Sequence, residues 1–423
     1  MSDSFHVTYL LTLFPGEEPE ERIRALQLEQ SVELPDGVVQ TLGMQHVTGS
    51  VTGMEPIGEM VADTPPEGSH PRTRKVKVTI AWPRENLGNE ITQFLNVLFG
   101  NISMKRGIAI TDIRWEDVSG PGGLLKGPAL GIDRIRKNWD IPVRALACTA
   151  LKPMGCTSIQ LADLAHKFAL GGVDIIKDDH GLADQASAPF AERVRLCVEA
   201  IDRAAQKTGR RSRYFPNITA DPHRVAGRYE QAAELGADGV LLIPMLVGPA
   251  LMHHLARLDT GLPIMAHPAF SGSFVIHDPV YSVAGQVSSR PGPVQNAPPV
   301  EPNSPVEANS AAEPNAAHGF EAGLFYGGLM RALGADFTIY PNTGGRFSFI
   351  RDVCDAINSH ARRPDHPFAP CFPTPGGGMQ RDRMAYWLQN YGTDTTFLMG
   401  GSLFEDPAGI EAASRAFMET LGT

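Results

Sequence analysis

The stretch LGGVDIIKDDHGLADQ, residues 170–185, drives a short apolar strand into a lysine, two aspartates and a histidine. Parallel strands covered on both faces read as continuous apolar runs, and in barrels of such strands the chemistry sits where they end. Outward from this stretch one rhythm repeats from about residue 141: a short apolar strand, a loop carrying glycine or charge, then a helix. The strand-like runs are VRALACTAL, VDIIK, RYFPNIT, GVLLIP, PIMAH, DFTIYP, FAPCFPTP and TTFLMG. Eight units alternating with amphipathic helices such as SIQLADLAHKFAL predict a C-terminal (β/α)8 barrel. An open doubly wound sheet would have fewer units and a Gly-rich turn after its first strand.

The region before the barrel reads differently. HVTYLLTL and RKVKVTIAW alternate as strands, whereas EITQFLNVLFG sets Ile91, Phe94, Leu95 and Leu98 on one helical face. An N-terminal α+β domain of ferredoxin-like type is expected over residues 1–140, closing near the Gly/Pro-rich segment 120–131, with the barrel over 141–423. Residues 286–318 hold seven prolines and little that could fill a core, which predicts a surface loop between barrel units five and six. Without it, about 250 residues remain for the barrel, the usual length of that fold.

Composition narrows the function. The chain of 423 residues is 42% hydrophobic and 20% charged, with a formal net charge of −10, which argues against nucleic acid or an anionic membrane as partner. Five cysteines without a CxxC pair fit reduced thiols. No apolar run approaches the roughly 20 residues that span a bilayer. Together these features predict a cytoplasmic protein.

Ionisable residues gather at the predicted strand ends: Lys152 after strand one, Lys177, Asp179 and His180 at strand two, His267 at strand five and Arg346 after strand six. Alternation puts Lys177 and Asp179 on one side of the strand and Asp178 on the other. A protonated lysine cannot ligate a cation, but an amine kept neutral can take up CO2 as a carbamate. Lys177, Asp179 and His180 could thus form a hard, Mg2+-type site. Alternatively, Lys177 pairs with a neighbouring aspartate and His180 caps the next helix. Arg346 could hold a carboxylate or phosphate, or could shape its loop through a salt bridge. Gly376, Gly377 and Gly378 after strand seven, with Gly400 and Gly401 after strand eight, suggest a phosphate site, since glycine frees backbone N–H groups for an anion; tight turns alone would also use them.

These residues resemble the large subunit of ribulose-bisphosphate carboxylase. The likeness rests on LACTALKPMG, on GGVDIIKDDH with its lysine 25 residues after Lys152, and on RYFPNITAD, PTPGGGM and GGS. FGNISMKRG and GPALGIDRIRKNW extend it into the N-terminal region. The resemblance implies that Lys152 transfers protons, that Lys177 is carbamylated and Asp179 binds magnesium, and that His267 belongs to the active site. It also implies that Asn101 and Glu29 complete the site of a neighbouring subunit, hence a head-to-tail homodimer. Departures point away from carbon fixation. Met154 replaces a second lysine, His180 replaces a glutamate ligand, Pro268 replaces a phosphate-holding arginine, and PNTGGRFSF replaces a flexible lysine loop.

The chain is therefore similar to the noncarboxylating, RuBisCO-like (form IV) branch, whose shared step is enolisation of a phosphorylated ketose or keto acid. The first expectation is a Mg2+-dependent decarboxylase of 3-oxo-isoapionate 4-phosphate in apiose catabolism, or the related transcarboxylase/hydrolase. The alternatives are an enolase or isomerase of 5-methylthioribulose 1-phosphate or its diketo derivative in methionine salvage, and a non-catalytic sugar-phosphate binding protein.

Overall fold

The computed structural model describes residues 3–57, 74–120, 122–141, 143–258, 260–276, 316–345, 347 and 349–422. Most of the proline-rich segment, and Arg346, lie outside the described residues.

Eight parallel strands form the larger sheet in the order Arg213–Phe215, Ile175–Asp178, Leu146–Leu151, Thr396–Leu398, Phe372–Gly376, Phe337–Pro341, Ile264–Ala266 and Val240–Leu242. The two ends of this order meet through a parallel bridge between Asn217 and Leu241. Ile218 N–H donates to Leu241 O at 3.0 Å and Leu241 N–H to Pro216 O at 2.9 Å, so the sheet closes into a barrel. The strands are mostly apolar and almost wholly buried, because helices cover their outer face and side chains fill the interior. One covering helix, Ser158–Leu170, starts at a capping box: Thr157 Oγ1 accepts from Gln160 N–H, and Gln160 Oε1 accepts from Thr157 N–H.

The barrel is plugged at the end opposite the loops that carry the ionisable residues. Ile132 and Ile135 of the helix Gly131–Trp139 share a core with Leu146, Cys148, Ile175, Phe215, Met265, Phe337 and Phe372. Asp336, fully buried, accepts from the N–H groups of Leu130 and Gly131 and from Ile264 N–H, which ties the start of this helix to two barrel strands.

A second sheet contains Ile108–Ile113, Ser4–Leu13, Arg74–Pro83 and Ser50–Ile57 in that order, all antiparallel, with helices Pro19–Glu29 and Ile91–Phe99 between its strands in sequence. This is the ferredoxin-like arrangement. Two further strands, Val275–Ile276 and Gly319–Glu321, extend the sheet in parallel beyond Ile108–Ile113. They come from the two flanks of the proline-rich segment and are too short to show any period in the sequence. At the end of that segment, His318 bonds Ser103 O at 2.8 Å and packs on Phe99. Among the described residues no helix is long and apolar enough to cross a membrane. All five cysteines are free, and four of them are buried.

Candidate active site

The second barrel strand sorts its ionisable residues by face. Asp178, fully buried on the outer side, receives hydrogen bonds from Arg193 Nε at 3.1 Å, Tyr214 OH at 2.7 Å and Asn217 N–H at 2.9 Å. Asn217 also donates to His180 O and Leu182 O, pinning the loop that follows the strand. Lys177 and Asp179 turn inward to a cavity of about 500 Å³ at the C-terminal ends of the strands.

Within this cavity Lys152 Nζ lies 2.9 Å from Asp179 Oδ1, and His180 Nδ1 lies 3.6 Å from the same oxygen. Burial opposes charge on Asp179, yet the neighbouring His180, Lys152 and Lys177 together hold its carboxyl well below the usual range. Lys177 is only 1% exposed, and its amine donates to Asp178 O at 3.1 Å. Burial lowers its pKa, which favours the neutral amine. His267 stacks on His180 with ring centroids 4.7 Å apart. Burial, followed by the nearby Lys177 and His180, holds the His267 imidazole well below its ordinary pKa. Its Nδ1 accepts from Ala269 N–H at 3.1 Å, so the neutral ring carries its proton on Nε2.

The opposite wall is glycine backbone. Gly376, Gly377, Gly378, Gly400 and Gly401 all line the cavity. So do Gly344 and Gly345, which the sequence reading passed over although they stand in the loop it singled out. A Cβ on Gly378 would come within 2.7 Å of Gly344 O, so the loops after strands six and seven touch backbone to backbone. Ser402 Oγ donates to Met379 O at 3.3 Å and joins the loops after strands seven and eight.

Glu29 and Asn101 do not line this cavity; they meet each other in the N-terminal region. Asn101 Nδ2 donates to Glu29 Oε1 at 3.2 Å, and Lys105 Nζ donates to Glu29 Oε2 at 2.9 Å. These contacts, Lys105 first, lower the Glu29 pKa. Among the described residues no group of three or more His, Cys, Asp or Glu side chains comes together that could hold a metal ion. Asp179 and His180 would need a further oxygen donor to do so. The buried amine of Lys177, two residues before Asp179 and biased by burial toward its neutral form, has the chemistry to become one by taking up CO2.

A family model described as ribulose bisphosphate carboxylase large chain, catalytic domain, matches residues 131–279. The chain is 34% identical over 404 residues to ribulose bisphosphate carboxylase-like protein 1 of Rhodopseudomonas palustris, spanning 95% of this chain and 93% of that one. It is 32% identical to 5-methylthioribulose-1-phosphate isomerase of Rhodospirillum rubrum, spanning 100% and 97%. A crystal structure of a Rubisco-like protein from Rhodopseudomonas palustris superposes with a TM-score of 0.75 at 31% identity, covering 100% of this chain and 98% of the other. Relatedness along nearly the whole length, joined to a shared fold, means that the chain belongs to the ribulose bisphosphate carboxylase large-chain family as a RuBisCO-like (form IV) protein.

Proposed function

We propose that the protein is an enzyme that moves a proton between neighbouring carbons of a phosphorylated keto sugar. Its substrate would be 5-methylthioribulose 1-phosphate or the derived diketo phosphate. The observation that carries this reading is the meeting of Lys152, Asp179 and His267 in one cavity whose far wall is glycine backbone. A proton carrier, a hydrogen-bond donor for an oxyanion and an anion cradle suffice for enolisation followed by reprotonation.

Lys152 would take the proton from the carbon beside the carbonyl and return it to the former carbonyl carbon, while the neighbouring hydroxyl's proton passes to the former carbonyl oxygen, with Asp179 orienting the amine between the two events. On the diketo phosphate, removal of the carbon proton and protonation of the carbonyl oxygen would already give the enol. His267 would donate from Nε2 to the oxygen on which charge develops. Backbone N–H groups of the loops at Gly377, Gly378, Gly400 and Gly401 would hold the phosphate, and Arg346 would add a paired contact to it. Asp179, His180 and a carbamylated Lys177 would hold Mg2+, which supplies Lewis-acid stabilisation of the enediolate charge. Glu29 and Asn101 would complete the site of a partner subunit in a head-to-tail homodimer.

The full-length relative named as a methylthioribulose-phosphate isomerase favours this proton transfer over the apiose-pathway decarboxylation that the sequence reading placed first. Incubation with 5-methylthioribulose 1-phosphate in D2O, followed by NMR, tests it: deuterium should enter at the carbon beside the carbonyl that loses its proton, and an isomer deuterated at the former carbonyl carbon should accumulate. Release of CO2 from 3-oxo-isoapionate 4-phosphate, with no exchange on the methylthio sugar, would reverse the assignment.

A further inference from the structure

The loop that carries His267 is held from behind by a wide-turn helix. Residues Gly323–Leu329 form a buried π-helix, a rare geometry that persists where its surroundings enforce it. Its Tyr326 carbonyl accepts from Thr338 Oγ1 of the sixth barrel strand at 2.8 Å. Gly327 packs so closely on the helix Arg351–Arg362 that a Cβ there would lie 2.5 Å from Ile357 O. The Tyr326 hydroxyl reaches Ser271 Oγ at 2.6 Å, and Ser271 Oγ reaches Pro268 O, also at 2.6 Å. A carbonyl only accepts, so Ser271 donates to Pro268 O and Tyr326 donates to Ser271. The turn fixed in this way contains Ala269, whose N–H occupies His267 Nδ1. It also contains Phe270, a non-glycine residue at φ 68°, a strained conformation that only a firmly held turn maintains.

We propose that Tyr326, acting through Ser271, is a positioning residue that locks the His267 ring in one tautomer, with Nε2–H presented to the cavity. The role rests on the proton-transfer reading above only for its catalytic consequence. Without the Tyr326 hydroxyl, the turn at residues 268–271 loses one anchor and Ala269 N–H no longer holds Nδ1 steadily.

The test uses the full chain labelled with 15N-histidine, read by long-range 1H–15N NMR at one fixed neutral pH, with His267→Gln to assign the ring. The wild type should show a single Nε2–H tautomer at His267. Tyr326→Phe and Ser271→Ala should each give mixed tautomers, and Ser271→Thr should keep the wild-type pattern. For proton exchange on the sugar phosphate, kcat should fall by about tenfold in the first two variants with KM little changed, the range expected for a supporting partner of a site residue. The double variant should lose no more than either single one. An unchanged His267 tautomer in both Tyr326→Phe and Ser271→Ala overturns the proposal. Because the NMR readout needs no substrate, a wild type that turns over no sugar phosphate while the tautomer responds to Tyr326→Phe would overturn the assigned reaction and uphold the positioning role.

Discussion

At the scale of single residues, the two aspartates of the second strand divide structure from chemistry. Asp178 and Arg193 are both fully buried, and each is satisfied by the other and by further hydrogen bonds. Removing one partner strands a charge in the interior, so Arg193→Leu should destabilise the chain by about 3–5 kcal/mol in urea unfolding. A loss below about 1 kcal/mol would mean that Asp178 finds another partner. Asp179 faces the cavity, and the group it orients makes a second expectation. Lys152→Ala should cut proton exchange by roughly 10²–10⁴-fold while leaving the melting temperature near that of the wild type, and exchange that survives unchanged would remove Lys152 from the base role. The split between Asp178 and Asp179 was legible in the sequence, because strand alternation is local. Asn217 and the Ser271–Tyr326 pair were not, since bonds between residues 35 to 55 positions apart leave no pattern along the chain.

At the scale of elements, the barrel was legible for the same reason that its strands are short: apolar runs bounded by glycine, proline and charge stand out when helices separate them. The strands Val275–Ile276 and Gly319–Glu321 and the π-helix GLFYGGL carry no such signal, and tertiary contact alone decides them. The glycine loops illustrate what composition can and cannot convey. Their position after strands seven and eight was readable, but the close approach of the loop after strand six was not. Gly378 sits at φ 66°, and a Cβ there would meet both Gly344 O and Gly345 N at 2.7 Å. Gly378→Ala should therefore push the two loops apart and raise KM for a sugar phosphate by about tenfold, or 1.4 kcal/mol, while kcat and the barrel's melting temperature change little. An unaltered KM would mean that the phosphate is held elsewhere.

At the scale of the whole molecule, the N-terminal region and the barrel meet through Trp115 and His366, whose rings lie 5.3 Å apart. Burial, then the charges of Arg331 and Arg363, lowers His366 from 6.5 to about 3, and burial with the same arginines lowers His360 to about 4. A depressed histidine binds its proton in the unfolded chain first, so stability is present above pH 6.5 and is lost as the pH falls from 6.5 through about 4 for His360 and about 3 for His366. The melting temperature should drop across that window, and His366→Phe should flatten the decline; an unchanged slope would place the acid sensitivity elsewhere. Assembly provides the last test, since Glu29 and Asn101 bond each other away from their own chain's cavity. If two subunits pair head to tail, Asn101→Ala and Lys152→Ala damage the same composite site from opposite chains. Each variant alone should be nearly inactive. Co-expressed in equal amounts, they should form mixed dimers in which one of the two sites is intact, restoring about a quarter of the wild-type rate. Recovery requires that both residues serve a shared site across the dimer; mixed dimers that purify intact and stay inactive would confine each cavity to its own chain.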